Sequence, residues 1–428
     1  MTAEIAVINK SAVALAADSA VTITNPNGKT KIYNGAEKLF ALTKYHPVGI
    51  MVFGSGTLCR VPWEVVIKEY RKKLGKKCFS TLDEYTEDFF QFLEQEERLI
   101  PHDLRDLFLA NHWLGIYLEI WDHVSQKVEK LMAEENPDDL EEKTIQILSE
   151  VCTNFAQLLD EQHFLTDFTQ EDVENLMVQT SEFVDEKLSE ASLDLPQPLK
   201  INIARVLALA TAKENPLGAN SGVVFAGYGN EEYFPSILTF DLKGFWGKKL
   251  RRTPDLDKSL GGGSSGIEAY AQDEEALTFM RGVSPEIERC YSQAYFDSFD
   301  SVLHKAMELI EQNTDKDCTP IKRELEQFAL DKWQTASGAM KGVIQTDYVD
   351  RVVNMVEFLP KDELAYMAES LVNMTAFKRK VTNDSETVGG PIDVAVISKG
   401  DGFVWIKRKH YFDGGLNNHY FEKFLKGS

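Results

Sequence analysis

The first twenty residues constrain the fold more than any other stretch of this 428-residue chain. Two short apolar runs, AEIAVI at 3–8 and AVALAA at 12–17, are separated by the polar, turn-forming Asn9-Lys10-Ser11. Short apolar runs with β-branched residues on either side of such a turn are typical of paired strands. We therefore predict a β-hairpin at the N-terminus.

A second pair of strands and a long helical block follow the hairpin. The runs KLFALT at 38–43 and VGIMVF at 48–53 predict strands, with a Gly-Ser-Gly sequence ending the second. From 62 to 212 the apolar residues recur at spacings of three and four, which predicts mainly helix. Ser80 or Thr81 can serve as the N-cap of one of these helices, because acidic residues follow in the first turn.

The second half of the chain alternates again between strands and helices. In order, the predicted segments are strands at 222–228 and 233–240, a flexible Gly/Ser-rich loop at 261–266, helices at 274–311 and 348–378, and the strands IDVAVIS and FVWIKRK. Blocks of strands alternating with blocks of helices predict an α+β fold in which helices enclose the sheets.

Composition narrows the function classes. The chain carries 46 basic and 68 acidic residues, a net charge of -22, which argues against nucleic-acid binding because such binding depends on lysine and arginine. No signal peptide is expected, nor an apolar run long enough for a membrane span. The five cysteines form no CxxC pair and the eight histidines no HExxH motif. A cytoplasmic protein without metal or organic cofactor is therefore expected.

The segment MTAEIAVINKSAVALAADSAVT resembles the first hairpin of proteasome β subunits and their bacterial relatives, which are N-terminal-nucleophile (Ntn) hydrolases. In that family a threonine starts the mature chain and Ala-Asp-Ser follows the second strand. A lysine then starts the third strand, and a glycine follows the fourth. Thr2, Asp18, Lys38 and Gly54 match these landmarks in order, and Asp18 lies at the family's spacing from Thr2.

Later segments extend the resemblance. GVVFAGYGNEEYFPSILTFD is similar to the family's central hairpin, and KDELAYMAESLVNMTAFKR followed by VGGPIDVAVISKGDGFVWI is similar to its last helix, Gly-Gly turn and final strands. The resemblance implies a four-layer αββα Ntn-hydrolase sandwich with large helical insertions. The proteasome-like core would comprise residues 1–94 and 216–428, with residues 95–215 as a helical insertion.

The resemblance implies a threonine-type peptidase or amidohydrolase. Removal of Met1 would expose the amine of Thr2, whose ordinary pKa of about 7.7 to 8.0 suits it as a base for the hydroxyl on the same residue. Lys38 would favour the deprotonated hydroxyl, and Asp18 would hold the ammonium of Lys38 in place. The amide of Gly54 would stabilise the oxyanion, a contribution of about 3 to 4 kcal/mol in comparable sites.

Two further family positions have more than one candidate. A serine that precedes the third helix is matched by Ser265 in the sequence GSSG or, in a shorter register, by Gln272. An acidic residue and a serine precede the family's Gly-Gly turn, and Val388 occupies the usual serine position. Asp384, Ser385 and Thr387 could substitute for this pair only with a shift of register.

Alternatives to the enzyme hypothesis remain. Asp18 and Lys38 could form a purely structural ion pair in a catalytically inactive, proteasome-like subunit that binds a partner protein through its helical insertions. The chemistry could also act on a small amide instead of a peptide or protein. The resemblance raises a homo-oligomeric ring and an unfoldase partner as further expectations, although the length of the insertions could also block ring contacts. The GGGSSG loop lacks the Gly-Lys-Ser/Thr of a phosphate-binding loop.

Overall fold

The computed structural model describes residues 3–24, 30–134, 139–218, 221–312, 319–382, 388–419 and 422. The chain divides into two compact units. The first comprises Met1–Leu39, Tyr233–Ser236 and Leu260–Ser428, and the second comprises Phe40–Glu232 and Ile237–Ser259.

The described residues form strands and helices that we number along the chain. The strands are Ala3–Ile8 (β1), Val13–Ala17 (β2), Val21–Thr24 (β3), Thr30–Tyr33 (β4), Leu39–Ala41 (β5), Val48–Phe53 (β6), Thr57–Leu58 (β7), Val61–Pro62 (β8), Ser221–Gly227 (β9), Ser236–Trp246 (β10), Lys249–Leu260 (β11), Gly266–Ala271 (β12), Asp393–Ser398 (β13) and Gly402–Lys407 (β14). The helices are Trp63–Leu74 (α1), Leu82–Gln95 (α2), His102–Glu134 (α3), Leu140–Asp160 (α4), Gln170–Glu190 (α5), Gln197–Ala212 (α6), Glu274–Arg281 (α7), Pro285–Glu311 (α8), Thr319–Val343 (α9), Asp350–Val356 (α10) and Lys361–Val381 (α11), with a π-helical turn at Ile344–Val349.

The first unit is built on a five-stranded antiparallel sheet with the order β12-β1-β2-β13-β14. Every residue of β1, β2 and β13 is buried, which explains why their sequences are nearly continuous apolar runs. Helix α11 packs on this sheet, with Leu364, Ala368 and Val372 in the same core as Ile5 and Ala14. Alanines on both sides let the helix approach the sheet closely.

The turn between β1 and β2 is held by one buried side chain. The Oδ1 atom of Asn9 accepts hydrogen bonds from the amides of Ser11, at 2.9 Å, and Ala12, at 3.2 Å. Its Nδ2 donates to the carbonyls of Val356, at 3.0 Å, and Leu359, at 2.9 Å. Asn9 therefore closes the hairpin and also ties it to the connection between α10 and α11.

The second unit is built on a five-stranded sheet with the order β11-β10-β9-β6-β5. Helices α1 and α2 bury an aromatic core against it, in which Phe89 and Phe90 stack edge to face on Phe225 of β9. Helix α2 begins at the predicted N-cap Thr81, whose side chain accepts a hydrogen bond from the amide of Glu84 at 3.3 Å.

Helices α3 to α6 of the second unit enclose a core of their own. Helix α6 is buried nearly all round, with ten buried residues between Leu199 and Ala212, and it packs against α4 and α5. A helix that is apolar on all faces must be surrounded by other elements. The three neighbouring helices provide this cover.

A buried polar network in the second unit joins α3 to β11. The guanidinium of Arg251, which is 0% exposed, donates to the carbonyls of Ala210, Thr211 and Lys243. It also forms a hydrogen bond of 2.9 Å with Nε2 of His112. The guanidinium is the donor in this bond, because arginine has no acceptor atom. Burial, together with the smaller effect of the charges on Arg251 and Lys243, lowers the pKa of His112 to about 2. His112 is therefore a neutral core residue.

The structure confirms the α+β class, the N-terminal hairpin, the helical block from 62 to 212 and the last two strands. The strand predicted at 38–43 is shorter in the structure, where β5 covers only Leu39–Ala41. The strands β11 and β12 and the β3–β4 hairpin were not predicted. Strand β11 carries a proline and many charges, yet its buried arginines bind the carbonyl of Thr211 and the carboxylate of Glu87, which no local pattern shows.

No helix among the described residues is long and apolar enough to cross a membrane. Four cysteines in the described part of the chain, Cys59, Cys78, Cys152 and Cys290, form no disulfide.

Replacing Asn9 by alanine should lower the free energy of unfolding by about 3 kcal/mol, because the change leaves buried backbone groups of two loops without their hydrogen-bond partners. Urea denaturation of the wild type and N9A measures the difference. Lys10→Ala is the matched control in the same turn, since its ion pair with Glu357 is largely exposed. Equal stability of N9A and K10A would contradict the role given to Asn9.

Replacing His112 by glutamine should make stability less sensitive to acid. The pKa of His112 is lower in the folded chain than its unfolded value of about 6.5, so the unfolded state binds the extra proton and stability falls as pH falls below about 6.5. The wild type should lose up to about 1.4 kcal/mol per pH unit from this group between pH 6 and pH 4, and H112Q should not. Urea denaturation of both proteins at several pH values measures the slopes, and equal slopes would contradict a buried, neutral His112.

Candidate active site

The predicted pair of Asp18 and Lys38 is in contact. Asp18 immediately follows β2, and Lys38 immediately precedes β5. Both are buried, with exposed fractions of 1% for Asp18 and 6% for Lys38. The ammonium of Lys38 donates a hydrogen bond to Oδ1 of Asp18 and forms a buried salt bridge with it. A buried ion pair of this kind is favourable only when its remaining polar atoms are also satisfied.

The carboxylate of Asp18 is satisfied on both oxygens. Its Oδ1 also accepts from the amide of Ala3 at 3.2 Å. Its Oδ2 accepts from the amide of Ala20 at 3.2 Å and from the amide of Gly389 at 2.9 Å. Three backbone donors and one ammonium therefore point at a single side chain, which suits the ionised form of the carboxylate.

The hairpin register places Asp18 beside Ala3. Glu4 pairs with Ala17 across β1 and β2, so the next residue along β2 lies opposite Ala3. The amide of Asp18 also donates to the carbonyl of Ala3 at 3.2 Å. Ala3 is thus held by both its amide and its carbonyl, and its amide belongs to the Thr2–Ala3 peptide bond.

The Gly-Gly turn that follows α11 docks on the same residues. The amide of Ser19 donates to the carbonyl of Gly389 at 3.2 Å, and its hydroxyl donates to the carbonyl of Pro391. Gly390 has a φ of 78°, and a Cβ atom on it would lie 2.8 Å from Cβ of Asn34. Glycine is required there for both the backbone conformation and the space.

Glu4 was not predicted to belong to the site. Its side chain is fully buried, and its Oε1 lies 3.4 Å from Nζ of Lys38. The ammonium of Lys38 therefore faces two carboxylates, one from β1 and one from the end of β2. A charged residue inside the apolar run AEIAVI was the signal in the sequence that could have found it.

Ser265 and Gln272 lie beyond opposite ends of β12. Gly266 pairs with Ile8 and Ala271 pairs with Ala3, so the two ends of the strand are about 17 Å apart. Ser265 precedes the Ile8 end, and the structure does not bring it together with Asp18 and Lys38. Gln272, the shorter-register alternative, follows the Ala3 end and is buried.

The backbone is strained where β12 ends. Ala271 has a φ of 61°, in the left-handed region that costs a residue with a Cβ atom about 1 to 2 kcal/mol. Strain of this kind persists only where the surrounding structure holds it, and it is concentrated at functional sites. The strained residue is the direct partner of Ala3 in the sheet.

The other predicted site residues are not tested by these contacts. Thr2, Asp384, Ser385 and Thr387 lie outside the described residues. Gly54 ends β6 in the second unit with a φ of 77°, and its role stays a prediction. In the part of the chain that the structure describes, no group of three or more His, Cys, Asp or Glu side chains could hold a metal ion.

Comparisons with known proteins give one kind of match. Neither protein-family models nor curated proteins match the chain. Among solved structures it is similar to a Gly-1 mutant of Anbu from Hyphomicrobium sp. strain MC1, at 9% identity and a TM-score of 0.29, covering 100% of this chain and 96% of that one. It is also similar to Anbu (ancestral beta-subunit) from Yersinia bercovieri, at 9% identity and a TM-score of 0.29, covering 99% and 95%. Overlap at this TM-score carries no argument about fold or function.

Replacing Asp18 by asparagine should lower the free energy of unfolding by about 3 to 5 kcal/mol, because Lys38 then stays buried without its main counter-ion and an amide NH₂ replaces an acceptor. Urea denaturation measures the loss. Glu64→Gln, which removes a surface ion pair with Lys68, should change stability by less than about 0.5 kcal/mol. A D18N protein as stable as E64Q would show that the Asp18 contacts do not hold the fold.

Proposed function

We propose that this chain is a threonine-type Ntn hydrolase of the proteasome β type, which cleaves amide bonds with Thr2 after Met1 has been removed. The observation that carries the proposal is the carboxylate of Asp18, which accepts from both the Lys38 ammonium and the amide of the Thr2–Ala3 peptide. The Lys38 ammonium and the amide of this peptide bond therefore share one acceptor. A positive charge at this position would favour the deprotonated form of the Thr2 hydroxyl, which is the form that attacks.

The proposed reaction has two steps. The Thr2 hydroxyl attacks the substrate carbonyl, its proton passes to the α-amine, and a tetrahedral oxyanion forms. When the C–N bond breaks, the amine returns the proton to the leaving nitrogen and an ester of Thr2 remains. Water then hydrolyses the ester with the same amine as base. The positive charge of Lys38 favours the deprotonated form of the Thr2 hydroxyl. The Gly54 amide is the predicted hydrogen-bond donor to the oxyanion of the tetrahedral intermediate.

Our proposal extends to the architecture and to the residues around the amine. The chain would form a four-layer αββα sandwich from residues 1–94 and 216–428, with 95–215 as a helical insertion. Gln272 replaces Ser265 as the residue next to the amine, on the support of the β1–β12 register. Asp384 and Ser385 remain the proposed acidic and hydroxyl partners. The expected substrate is a peptide or protein, with a homo-oligomeric ring and an unfoldase as proposed partners.

A second candidate function is a noncatalytic subunit that binds a partner protein. Two observations favour it. Every contact of Asp18 described above also serves the fold, so the ion pair has a structural reason to exist. Helices α8 and α9 also expose large apolar side chains, among them Tyr291 at 64% and Phe328 at 58%. Apolar residues on exposed helices are common at protein interfaces.

Thr2→Ala should abolish turnover of peptide substrates and labelling by a threonine-directed peptide epoxyketone, with a loss of at least about 1000-fold, because the nucleophile is gone. Intact mass spectrometry measures both the loss of Met1 and the adduct. Alanine still permits removal of the methionine, so T2A separates nucleophile loss from processing. Thr2→Ser should retain part of the activity.

The control is Thr153→Ala, which removes an exposed hydroxyl on α4 and should react like the wild type. A wild-type chain that keeps Met1 and never reacts would contradict the enzyme proposal. It would leave the noncatalytic subunit as the better account.

A further inference from the structure

Glu4 is an unusual residue for its place in the sheet. It lies in β1, two positions after Thr2, and its side chain is fully buried. Glutamate is depleted in strands. A buried carboxylate also loses its hydration, and this loss destabilises the fold unless a partner offsets the cost. An apolar or β-branched residue would serve the strand better. The presence of the charge therefore asks for a reason other than strand formation.

The sheet shows what Glu4 faces. Ala3, Ile5 and Val7 point into the core beneath α11, so by alternation Glu4 points to the opposite face of the sheet. Its direct neighbours in the sheet are Tyr270 of β12 and Ala17 of β2, neither of which is a cation. Among the described residues, Lys38 is a cation within ion-pair distance, with Nζ at 3.4 Å from Oε1 of Glu4.

Two anchors hold an ammonium better than one. Lysine carries its charge on a flexible four-carbon chain, and a single carboxylate leaves the ammonium free to swing around it. Glu4 reaches Lys38 from β1, while Asp18 reaches it from the end of β2. The two strands are joined in a fixed register, so the two carboxylates keep their separation and define one position for the ammonium.

We infer that Glu4 is a positioning residue of the proposed site: together with Asp18 it fixes the Lys38 ammonium between two carboxylates beside the Thr2–Ala3 peptide. The inference rests on the proposed function for its catalytic meaning. Glu4 acts through Lys38 and touches no substrate. Its contribution is geometric, because a displacement of about 1 Å in a catalytic group can cost about 100-fold in rate.

The matched pair of variants is Glu4→Gln and Asp393→Asn. Both remove the charge of a buried carboxylate in the same sheet while keeping the side-chain volume. Asp393 pairs with Lys409, whose amide also donates to it at 2.8 Å. Any general effect of losing a buried ion pair should therefore appear in both variants, while an effect on Lys38 should appear only in E4Q.

The first measurement does not depend on catalysis. In protein labelled with ¹⁵N-lysine, a buried, doubly paired ammonium should give a ¹H–¹⁵N signal that is protected from exchange with water, assigned by its loss in Lys38→Arg. E4Q should speed this exchange at least about tenfold, and D393N should leave it unchanged. Equal exchange in wild type and E4Q would overturn the inference.

The second measurement reads the effect on reaction. With the peptide epoxyketone, E4Q should lower the maximal inactivation rate by about 10- to 100-fold and leave the concentration for half-maximal rate unchanged, since Glu4 does not bind the reagent. D393N should change neither value. An unchanged maximal rate in E4Q would overturn the positioning role.

Two safeguards separate the possible failures. If E4Q does not fold, a through-space ¹⁵N–¹³C dipolar contact between Nζ of Lys38 and the carboxyl carbon of Glu4, measured by magic-angle-spinning NMR on the wild type, tests the 3.4 Å ion pair directly, and its absence overturns the inference. If the wild type loses Met1 but is never labelled, the proposed function fails. The exchange of the ammonium then decides by itself whether Glu4 holds Lys38.

Discussion

The first unit depends on the hydrogen bonds and the ion pair that the buried carboxylate of Asp18 accepts. Taking a carboxylate out of water costs several kcal/mol, and the loss is offset here by the amides of Ala3, Ala20 and Gly389 and by the ammonium of Lys38. Asp18 and Gly389 are 371 residues apart in sequence. The requirement to satisfy one buried charge therefore brings together the N-terminal hairpin, the residues before β5 and the turn after α11.

The same carboxylate links the fold to the proposed chemistry. Because Asp18 holds both the ammonium and the Thr2–Ala3 peptide, the position of the charge is set by the sheet itself. The ion pair alone does not distinguish an enzyme from an inactive subunit, since its contacts satisfy the fold in either case. The enzyme proposal also requires a free amine on Thr2. That amine depends on the removal of Met1 and not on the packing of the fold.

Local sequence patterns predicted the elements whose buried residues are apolar and recur at the spacing of a strand or a helix. The runs of β1, β2 and β13 and the helical block of α1 to α6 show in their own sequences what they bury, and Thr81 shows the start of α2. Strand β11 does not, because its charges and its proline argue against a strand. Its buried arginines depend on partners such as the carbonyl of Thr211 and the carboxylate of Glu87, which are 40 and 165 residues away along the chain.

The sequence by itself determined the α+β class and the N-terminal hairpin, since these follow from residue type and periodicity. Its resemblance to proteasome β subunits singled out Asp18 and Lys38 as a pair. Only the tertiary structure decided which residues surround that pair. Glu4 and Gly389 reach it, and Gln272, not Ser265, follows the partner of Ala3. The physical reason is register: neighbours across a sheet are set by strand pairing, and a residue's own sequence context does not contain that information.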